Sequence, residues 1–326
     1  MKLENNSDLA SVLFWGPLGP TDLGMALLVK ATYEITEQGL ELALDDPWPI
    51  HLEDLKTPYG VFPAEQCWRK PKIDLIVLGK AKAPGNKPVQ QMKVHVRAGD
   101  FSYSLAVFGD RWWSEQGGRL IPTEPEPFME MPLTLERAFG GKYENEYGEI
   151  ACLNNPEGRG FYADEKSAVG QPLPNLEDPD FLIQEPMDRP KPVGLGPYPL
   201  TGGLRFSILA EEEQQPPPFE KIEHLIMNWA HPDLMLDRLA PGEILRVEGI
   251  TQNGVLEAVI PHFPARAILR FGEEERELTP AMDTVIVLGE EKRLVLRWRL
   301  AEVFSMRPRE IRKVILSGKK GDKNSS

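Results

Sequence analysis

The stretch from Leu135 to Phe161 concentrates residue types that could bind an anion. Its sequence, LERAFGGKYENEYGEIACLNNPEGRGF, holds five glycines and two arginines. Glycine-rich loops bind phosphate when they open a helix, because the free N–H groups of the first turn point at the ligand. The chain contains neither GxxxxGK[ST] nor GxGxxG, and no helical pattern follows Gly158-Arg159-Gly160. These glycines are therefore predicted to have a conformational role.

Other residue patterns that support catalysis are incomplete. HExxH and GxSxG are absent, and His224 and His231 are too far apart to form a zinc motif with a nearby carboxylate. Cys67 lies close to Arg69 and Lys70, which could lower the pKa of its thiol, but no base is positioned beside it. We therefore predict no metal, no cofactor and no enzymatic activity.

Paired carboxylates are the one catalytic arrangement that the sequence leaves open. Glycosidases need only two acids at a set separation, and the chain has 50 acidic residues. A sugar groove could be lined by tryptophans, although aromatic residues on strands more often fill cores. A carbohydrate-active or other hydrolase thus stays as an alternative, and its candidate aromatic residues are Trp15, Trp48, Trp68, Trp112 and Trp113.

Composition limits the compartment and the partners. The formal charge is -13 and the isoelectric point is about 5.0, which argues against nucleic acid because phosphate binding needs a concentrated positive surface. No apolar run reaches the ~18 residues of a membrane helix, and no signal peptide is recognisable. Two cysteines 85 positions apart do not form a disulfide framework. We expect a cytoplasmic protein with no nucleic-acid or membrane partner.

The elements that must position the glycine-rich stretch are predicted to be strands. MALLVKATYEI and LELAL flank Gln38-Gly39, which is typical of a hairpin. In KIDLIVLGKAKAPGNKPVQQMKVHVRAG, apolar residues alternate on both sides of Pro84-Gly85-Asn86, so a second hairpin is expected there. FSYSLAVFGDRWW continues this alternation, so these strands together are predicted to form an antiparallel meander.

The rest of the chain divides into a loop region and more strands. Residues 121–204 carry 13 prolines and 10 glycines without a sustained period, yet enough apolar anchors to predict an ordered, irregular layer. After residue 240 the sequence again predicts short strands, each bounded by turn residues. In the last of them, two sets of side chains alternate: Leu294, Leu296, Trp298 and Leu300 with Arg293, Val295, Arg297 and Arg299. FEKIEHLIMNW is compatible with a short helix or a strand.

The predicted fold is mostly β, with antiparallel sheets arranged as a sandwich or barrel, a long ordered proline- and glycine-rich loop region and few short helices. Residues 8–304 are expected to form one domain, or two β lobes at about 8–120 and 205–304 joined by the layer 121–204. Residues 305–326 are expected to form a basic, partly disordered tail because their end lacks apolar anchors.

An ordered series of motifs resembles one bacterial family, catalogued as a domain of unknown function and encoded beside type VI secretion spike and effector proteins. The series spans about Ala26 to Arg299. It comprises ALLVKATYEITEQGLELA, RKPKIDLIVLGKAKAPGNKPV, VFGDRWW, MPLTLERAFGG, NNPEGRGF, LPNLEDP, PVGLGP, LAPGEILRVEGI and MDTVIVLGEEKRLVLRWR.

The resemblance implies an effector chaperone or adaptor without catalysis. Its partners would be a secreted effector and the VgrG and PAAR spike proteins. A structural subunit of the secretion particle is a further alternative. The motif residues that are candidates for a structural or partner-contact role are Asp110, Arg111, Arg137, Phe139, Gly140, Gly141, Asn155, Pro156, Gly158, Arg159 and Gly160.

Three finer expectations follow for this region. Gly140 or Gly141 should adopt positive φ, because glycine is the residue that accepts this backbone without strain. Arg137 and Arg159 should hold loop carbonyls or carboxylates together. The loop layer, or a sheet edge beside it, should bind a segment of the partner, for which strand addition is a natural mode.

Overall fold

A computed structural model of the chain describes residues 1–17, 21–68, 70–198, 228–252, 254–272, 274–305 and 311–318. Its elements are one short helix, α1 (Glu165–Ala168), three 3-10 turns (Pro84–Asn86, Leu135–Arg137, Pro232–Leu234) and 26 strands in the described residues. The strands are β1 (Lys2–Asn6), β2 (Ala10–Pro17), β3 (Asp22–Thr36), β4 (Gly39–Leu42), β5 (Leu55–Thr57), β6 (Gly60–Phe62), β7 (Ile73–Leu78), β8 (Lys80–Lys82), β9 (Gln91–Ala98), β10 (Phe101–Phe108), β11 (Trp113–Gln116), β12 (Arg119–Pro122), β13 (Glu130–Pro132), β14 (Phe139–Gly140), β15 (Lys142–Asn145), β16 (Gly148–Ala151), β17 (Arg159–Gly160), β18 (Leu176–Glu177), β19 (Met235–Leu236), β20 (Ile244–Glu248), β21 (Val255–Val259), β22 (Ala265–Phe271), β23 (Glu274–Leu278), β24 (Ala281–Leu288), β25 (Arg293–Ser305) and β26 (Ile311–Gly318).

The largest sheet has seven strands, six of them in the order β19-β7-β24-β25-β3-β2. The seventh strand, β4, pairs with β3. Its long central strands β3 and β25 run antiparallel over thirteen register pairs, from Asp22↔Ser305 to Glu34↔Arg293. The β3–β4 hairpin confirms the prediction made from Gln38-Gly39. One face of β25 carries Leu294, Leu296, Trp298 and Leu300, all buried in the main apolar core.

Two further sheets have more than two strands, and five sheets of the described residues have only two. A five-stranded sheet has the order β18-β10-β9-β20-β21, and a four-stranded sheet has the order β1-β26-β22-β23. The predicted continuation from KVHV into FSYSLAVF is confirmed, because β9 and β10 pair antiparallel from Phe101↔Ala98 to Phe108↔Gln91. The mostly-β class is confirmed as well.

The second predicted hairpin is wrong. Pro84-Gly85-Asn86 does form a turn, with positive φ at Gly85 and Asn86, but β7 and β9 belong to different sheets. β7 instead pairs in parallel with β24, from Thr284↔Asp74 to Leu288↔Leu78. Strands of parallel pairs are usually covered on both faces, and β7 is buried from Asp74 to Leu78. β7 is therefore covered on both faces, although its sequence was interpreted as a strand with alternating buried and exposed residues.

The two predicted lobes are not separate bodies. Strands β3 and β7 of the first segment share a sheet with β24 and β25 of the last, and β9 pairs directly with β20. Residues 311–318, assigned to the tail by sequence, form β26 between β1 and β22. The basic residues of this region do not prevent strand formation, because Val314 and Leu316 supply buried anchors. The ambiguous segment FEKIEHLIMNW lies almost entirely outside the described residues.

Candidate functional site

The glycine-rich stretch forms a compact junction, here called the glycine junction and defined by Gly140, Gly141, Asn155, Gly158 and Gly160. β14 and β17 pair in parallel at Phe139↔Arg159 and Gly140↔Gly160. Gly141 N–H donates to Asn155 O at 2.8 Å, and Phe161 N–H donates to Gly140 O at 3.0 Å. These bonds bring the two ends of the stretch, some twenty residues apart in sequence, into direct contact.

Two positions of the junction require glycine for steric reasons. A Cβ on Gly140 would lie 2.1 Å from Asn155 O, and one on Gly158 would lie 2.5 Å from Asn155 Nδ2. Gly140 also has φ of 149° and Gly141 has φ of 106°. Positive φ is thus confirmed at both predicted positions, and close backbone approach adds a second reason for glycine.

Asn155 is the polar centre of the junction. Its Nδ2 donates to Leu135 O at 2.8 Å and to Phe139 O at 3.0 Å. The side chain is fully buried. Since a buried carbonyl without a donor costs free energy, Asn155 stabilises the turn that precedes β14 as well as β14 itself.

Arginines fasten the junction to its surroundings, as predicted. Arg137 Nη1 donates to Asp110 Oδ1 at 3.1 Å and to Asn175 Oδ1 at 3.2 Å. Arg159 Nε donates to Glu136 O at 3.0 Å, and burial lowers the pKa of its guanidinium from the ordinary value. The arrangement ties loop carbonyls and a carboxylate together.

Arg111 connects the same region to the five-stranded sheet. Its Nη2 donates to Pro174 O at 2.9 Å and forms a buried ion pair with Glu177. Its guanidinium stacks 3.9 Å from the centre of the Phe108 ring. Burial raises the pKa of Glu177 despite the nearby Arg111, and Ile183 N–H also donates to this carboxylate. Glu177 lies on β18, which pairs with β10.

The junction closes the base of an exposed hairpin formed by β15 and β16, here called the 142–151 hairpin. Its strands pair from Lys142↔Ala151 to Asn145↔Gly148. Tyr147 at the tip is 87% exposed, and Ile150, which lies opposite Tyr143 in the register, is exposed as well. Tyr143 packs against Phe161 with ring centres 5.4 Å apart. The hairpin therefore exposes apolar side chains to solvent, while the hydrogen bonds of the glycine junction fix the backbone at its base.

The structure brings the eleven residues proposed from the sequence into one region. Five of them are buried and the other six are partly exposed, the buried ones being Arg111, Phe139, Gly140, Gly141 and Asn155. Phe139 lies in a small apolar cluster with Trp113, Tyr162 and Leu173. Pro156 is half-exposed beside the junction. The exposed residues of the 142–151 hairpin, which lies between Gly141 and Asn155 in sequence, were not among the candidates. The sequence KYENEYGEI could have indicated this hairpin, because Tyr147-Gly148 lies between two short segments that are rich in polar residues.

A second polar assembly, here called the ionic cluster, lies under the opposite face of the seven-stranded sheet from Leu294 and Trp298. Asp283 accepts from Arg297 Nε and Arg299 Nε, both at 2.7 Å. Glu65 accepts from Arg297 Nη1 at 3.0 Å and pairs with Lys30 at 2.7 Å. Its remaining members are Lys70, which pairs with Asp74 and donates to Thr284 Oγ1, and Trp229, whose ring lies 4.0 Å from Lys70 Nζ and 4.5 Å from the Arg297 guanidinium.

Burial and the ion pairs both shift the pKa values of this cluster, and burial prevails only for the lysines. Burial lowers the pKa of Lys30 and of Lys70 to about 8 in each case. Burial opposes ionisation of Asp283, yet Arg297 and Arg299 hold its pKa well below the usual range. Burial likewise opposes ionisation of Glu65, whose pKa is lowered by Lys30 and Arg297. The cluster was missed by sequence reasoning, although charged residues inside the apolar strands β3, β7, β24 and β25 were a signal.

Burial raises the pKa of the Cys67 thiol, and this effect outweighs the opposing charges of Arg299, Arg297 and Lys70. The Cys67 carbonyl instead accepts a hydrogen bond from Arg299 Nη1. Across the described ranges, no group of three or more His, Cys, Asp or Glu side chains is arranged to hold a metal ion. No helix in the same part of the chain is long and apolar enough to cross a membrane.

A cleft of about 1000 Å³ lies at the end of the seven-stranded sheet where β3 and β24 begin. Its apolar lining includes Met25, Trp68, Phe263, Met282 and Trp298. Its carboxylates are ion-paired: Asp237 with Lys72, Asp283 with Arg297 and Arg299, and Glu302 with Arg276. The lining of the cleft therefore combines apolar side chains with ion-paired charges.

A model of a bacterial protein family, described as "Uncharacterized protein conserved in bacteria (DUF2169)", matches residues 22–299. The chain belongs to this family. The match covers nearly the same residues as the motif series from Ala26 to Arg299. No curated protein and no solved structure matches the chain.

Proposed function

We propose that this member of the DUF2169 family is a type VI secretion adaptor, which binds a secreted effector and assists its loading onto the VgrG and PAAR spike without catalysis. The ordered motif series from about Ala26 to Arg299 supports the proposal, since it resembles a family encoded beside spike and effector proteins. The acidic composition, which gives a charge of -13, suits a protein that recognises basic protein surfaces.

The observation that carries the proposal is the exposure of the 142–151 hairpin on its rigid base. Tyrosine is enriched among residues that dominate protein–protein binding energy. Tyr147 is 87% exposed, and the strands behind it are fixed by the glycine junction. Pre-organised contact residues lose less conformational freedom on binding. The hairpin is therefore suited to contact another protein rather than to convert a small molecule.

The hydrolase alternative finds less support in the geometry. It requires one protonated and one ionised carboxyl group across an open groove. In the cleft, the acids described above are paired with cations, and Asp283 is held strongly ionised by Arg297 and Arg299. A structural subunit would remain in the secretion particle, whereas an adaptor is expected to stay in the producing cell. Detection of the protein in secreted material would therefore favour the structural-subunit alternative.

Affinity purification tests the proposal. The tagged protein would be coexpressed with the effector, VgrG and PAAR genes of its own organism, and recovery of each product would be measured by quantitative mass spectrometry. We expect recovery of the effector or a spike protein with the wild type. The double variant Tyr147→Ser and Ile150→Ser should lower it at least tenfold, since both apolar contacts are removed.

The matched control is Val259→Ser, which changes an exposed apolar residue on the edge strand β21. It should leave recovery and the thermal unfolding midpoint unchanged. Failure of the folded wild type to recover any of the three products would refute the adaptor function. Equal recovery with the hairpin variant would refute the role of the hairpin.

A further inference from the structure

The ionic cluster borders the cleft at the end of the seven-stranded sheet. Three of its members, Lys70, Asp283 and Arg299, also line the cleft and are here called the cleft floor. Their side chains are 0%, 7% and 4% exposed, so their charges lie out of bulk water. Most of the other lining residues are apolar, among them the aromatic residues Trp68 and Phe263. The cleft therefore combines apolar walls with buried charge at its floor.

Within the described residues, the ionic cluster has one more cation than it has carboxylates. Its charged members are Glu65, Asp74 and Asp283 on one side and Lys30, Lys70, Arg297 and Arg299 on the other. Although burial lowers the pKa of both lysines, it stays at about 8, so both are charged at pH 7. The neighbouring His51 adds no charge, because burial lowers its pKa from the ordinary 6.5. A surplus of one positive charge remains, in a chain whose formal charge is -13.

Arg297 holds an unpaired donor within this cluster. Its Nε donates to Asp283 and its Nη1 to Glu65, whereas its Nη2 is buried and has no hydrogen-bond partner among the described residues. Arg297 is 1% exposed, and a buried donor without an acceptor costs free energy. It shares the Asp283 carboxylate with Arg299 of the cleft floor. The charge balance and the unpaired donor both favour an anion at this end of the cleft.

The more exposed charges of the cleft do not offset the surplus. The other lysine, arginine and carboxylate side chains of the lining belong to three ion pairs, Lys72–Asp237, Arg238–Glu243 and Arg276–Glu302. Each pair joins one cation to one carboxylate and has no net charge. The positive charge is therefore concentrated at the floor, where burial leaves it less screened than a charge at the surface.

We propose that the cleft binds a small molecule with an apolar body and a single carboxylate. The body packs against the apolar walls, and the carboxylate lies at the cleft floor, where it balances the surplus charge. The volume of about 1000 Å³ is sufficient, since small-molecule sites commonly enclose about 300–1000 Å³. Arginine is well suited to bind a carboxylate, because hydrogen bonds between ionised groups are short and strong. This binding goes beyond the adaptor function and does not depend on it.

The charge of the cluster selects a carboxylate rather than a phosphate. A carboxylate carries one negative charge at pH 7, which equals the surplus. A phosphate monoester carries about -1.5 to -2 at this pH, so it would replace a positive surplus with a negative one in a buried site. An uncharged ligand would leave the surplus in place. Affinity should therefore be highest for the monocarboxylate.

Isothermal titration calorimetry of the full-length protein with three matched probes tests the proposal. The probes are 4-phenylbutyrate, its uncharged amide 4-phenylbutanamide, and 3-phenylpropyl phosphate, which share a phenylalkyl body. We expect 4-phenylbutyrate to bind at least about tenfold more tightly than either of the others, since hydrogen bonds to charged groups contribute more than neutral ones.

Val303 allows a matched test of charge, because it lines the cleft and is 63% exposed. The side chains of Val303→Glu and Val303→Gln have nearly the same shape and differ in one negative charge. Val303→Glu should bind 4-phenylbutyrate at least about threefold more weakly than Val303→Gln does, while 4-phenylbutanamide should bind both equally. Val259→Glu places the same charge on an exposed residue outside the lining. It should leave both affinities at the wild-type values.

Lys30→Met tests the surplus charge itself. It removes one cation, while Glu65 keeps its bond to Arg297 Nη1. The preference for 4-phenylbutyrate over its amide should therefore fall to about twofold or less, because the cluster then carries equal numbers of cations and carboxylates. Circular dichroism would confirm that this variant is folded, and the Val303 pair supplies the same test without a change in the core.

Equal binding of 4-phenylbutyrate and its amide to the wild type, or binding of neither, would overturn the proposal. So would tighter binding of 3-phenylpropyl phosphate, or equal affinities in Val303→Glu and Val303→Gln. A peptide that ends in a phenylalanine carboxylate shares the ligand chemistry, and its tighter binding than 4-phenylbutyrate would assign the cleft to protein termini instead of small molecules. None of these outcomes depends on recovery of effector or spike proteins.

Discussion

The glycine junction and the ionic cluster both hold irregular chain in place, but by different physical means. The junction uses neutral contacts: backbone hydrogen bonds, one buried amide and positions where a side chain would clash. The cluster uses charges, with Asp283 and Glu65 bridging Lys30, Arg297 and Arg299. The first fixes a local backbone shape beneath the hairpin, whereas the second fastens residues 49–68 to the seven-stranded sheet.

The difference lies in what each region loses when one member is removed. A neutral junction loses hydrogen bonds and packing, which are modest contributions. A buried charge left without its partner is more costly, because the remaining ion has no water to solvate it. The comparison therefore predicts a larger loss of stability in the cluster than in the junction.

The largest effect is expected for Asp283→Ala. Removal of this carboxylate leaves Arg297 and Arg299 buried without their shared partner, and we expect the free energy of unfolding to fall by about 3–5 kcal/mol. Denaturant unfolding followed by tryptophan fluorescence measures it. The control Glu277→Gln removes a carboxylate from the exposed pair with Arg266 and should leave the unfolding midpoint unchanged. A wild-type midpoint in Asp283→Ala would contradict the role assigned to the cluster.

A smaller effect is expected for Gly140→Ala in the junction. The added Cβ would meet Asn155 O, and we expect a loss of about 1–3 kcal/mol together with faster proteolysis of the 142–151 hairpin. Gly148→Ala is the matched control, since Gly148 has φ of 121° but nothing within 4 Å of a built Cβ. It isolates the cost of the backbone conformation. Equal losses in the two variants would show that close approach contributes nothing.

The smallest effect is a dependence of stability on pH that belongs to the cluster. Asp283 and Glu65 have lower pKa values in the folded chain than their ordinary 3.8 and 4.5. Their contribution is therefore complete above about pH 4.5 and is lost as the pH falls below it. Unfolding measured from pH 6 to pH 3 should show falling stability, with a shallower slope in Asp283→Asn.

The junction offers a contrast within the same titration. Its central contacts, those of Asn155 and of the glycine backbone, do not titrate. Amide protection of Gly141 and Phe161 measured by hydrogen exchange should therefore follow global stability, with no separate loss near pH 4. An independent loss of protection at these amides in acid would place a titrating group in the junction.

Local patterns in the sequence predicted several features correctly. The mostly-β class followed from alternating apolar residues, the β3–β4 hairpin from Gln38-Gly39, and positive φ from Gly140-Gly141. The hairpin between β7 and β9 was wrong, because a turn at Pro84-Gly85-Asn86 does not specify which sheet each flanking strand joins. Pairing of β7 with β24 depends on residues about 210 positions away, a separation that local patterns do not report.

The sequence alone determined the places where the backbone must turn tightly and the strands that must bury one face. Glycine conformation and side-chain alternation are properties of neighbouring residues, so they are visible without a fold. Tertiary structure decided which charges become buried partners. Lys30, Asp283 and Arg297 stand out in the sequence as charges within apolar strands. Their partners lie far away along the chain, however, and only the folded chain brings these charges together out of water.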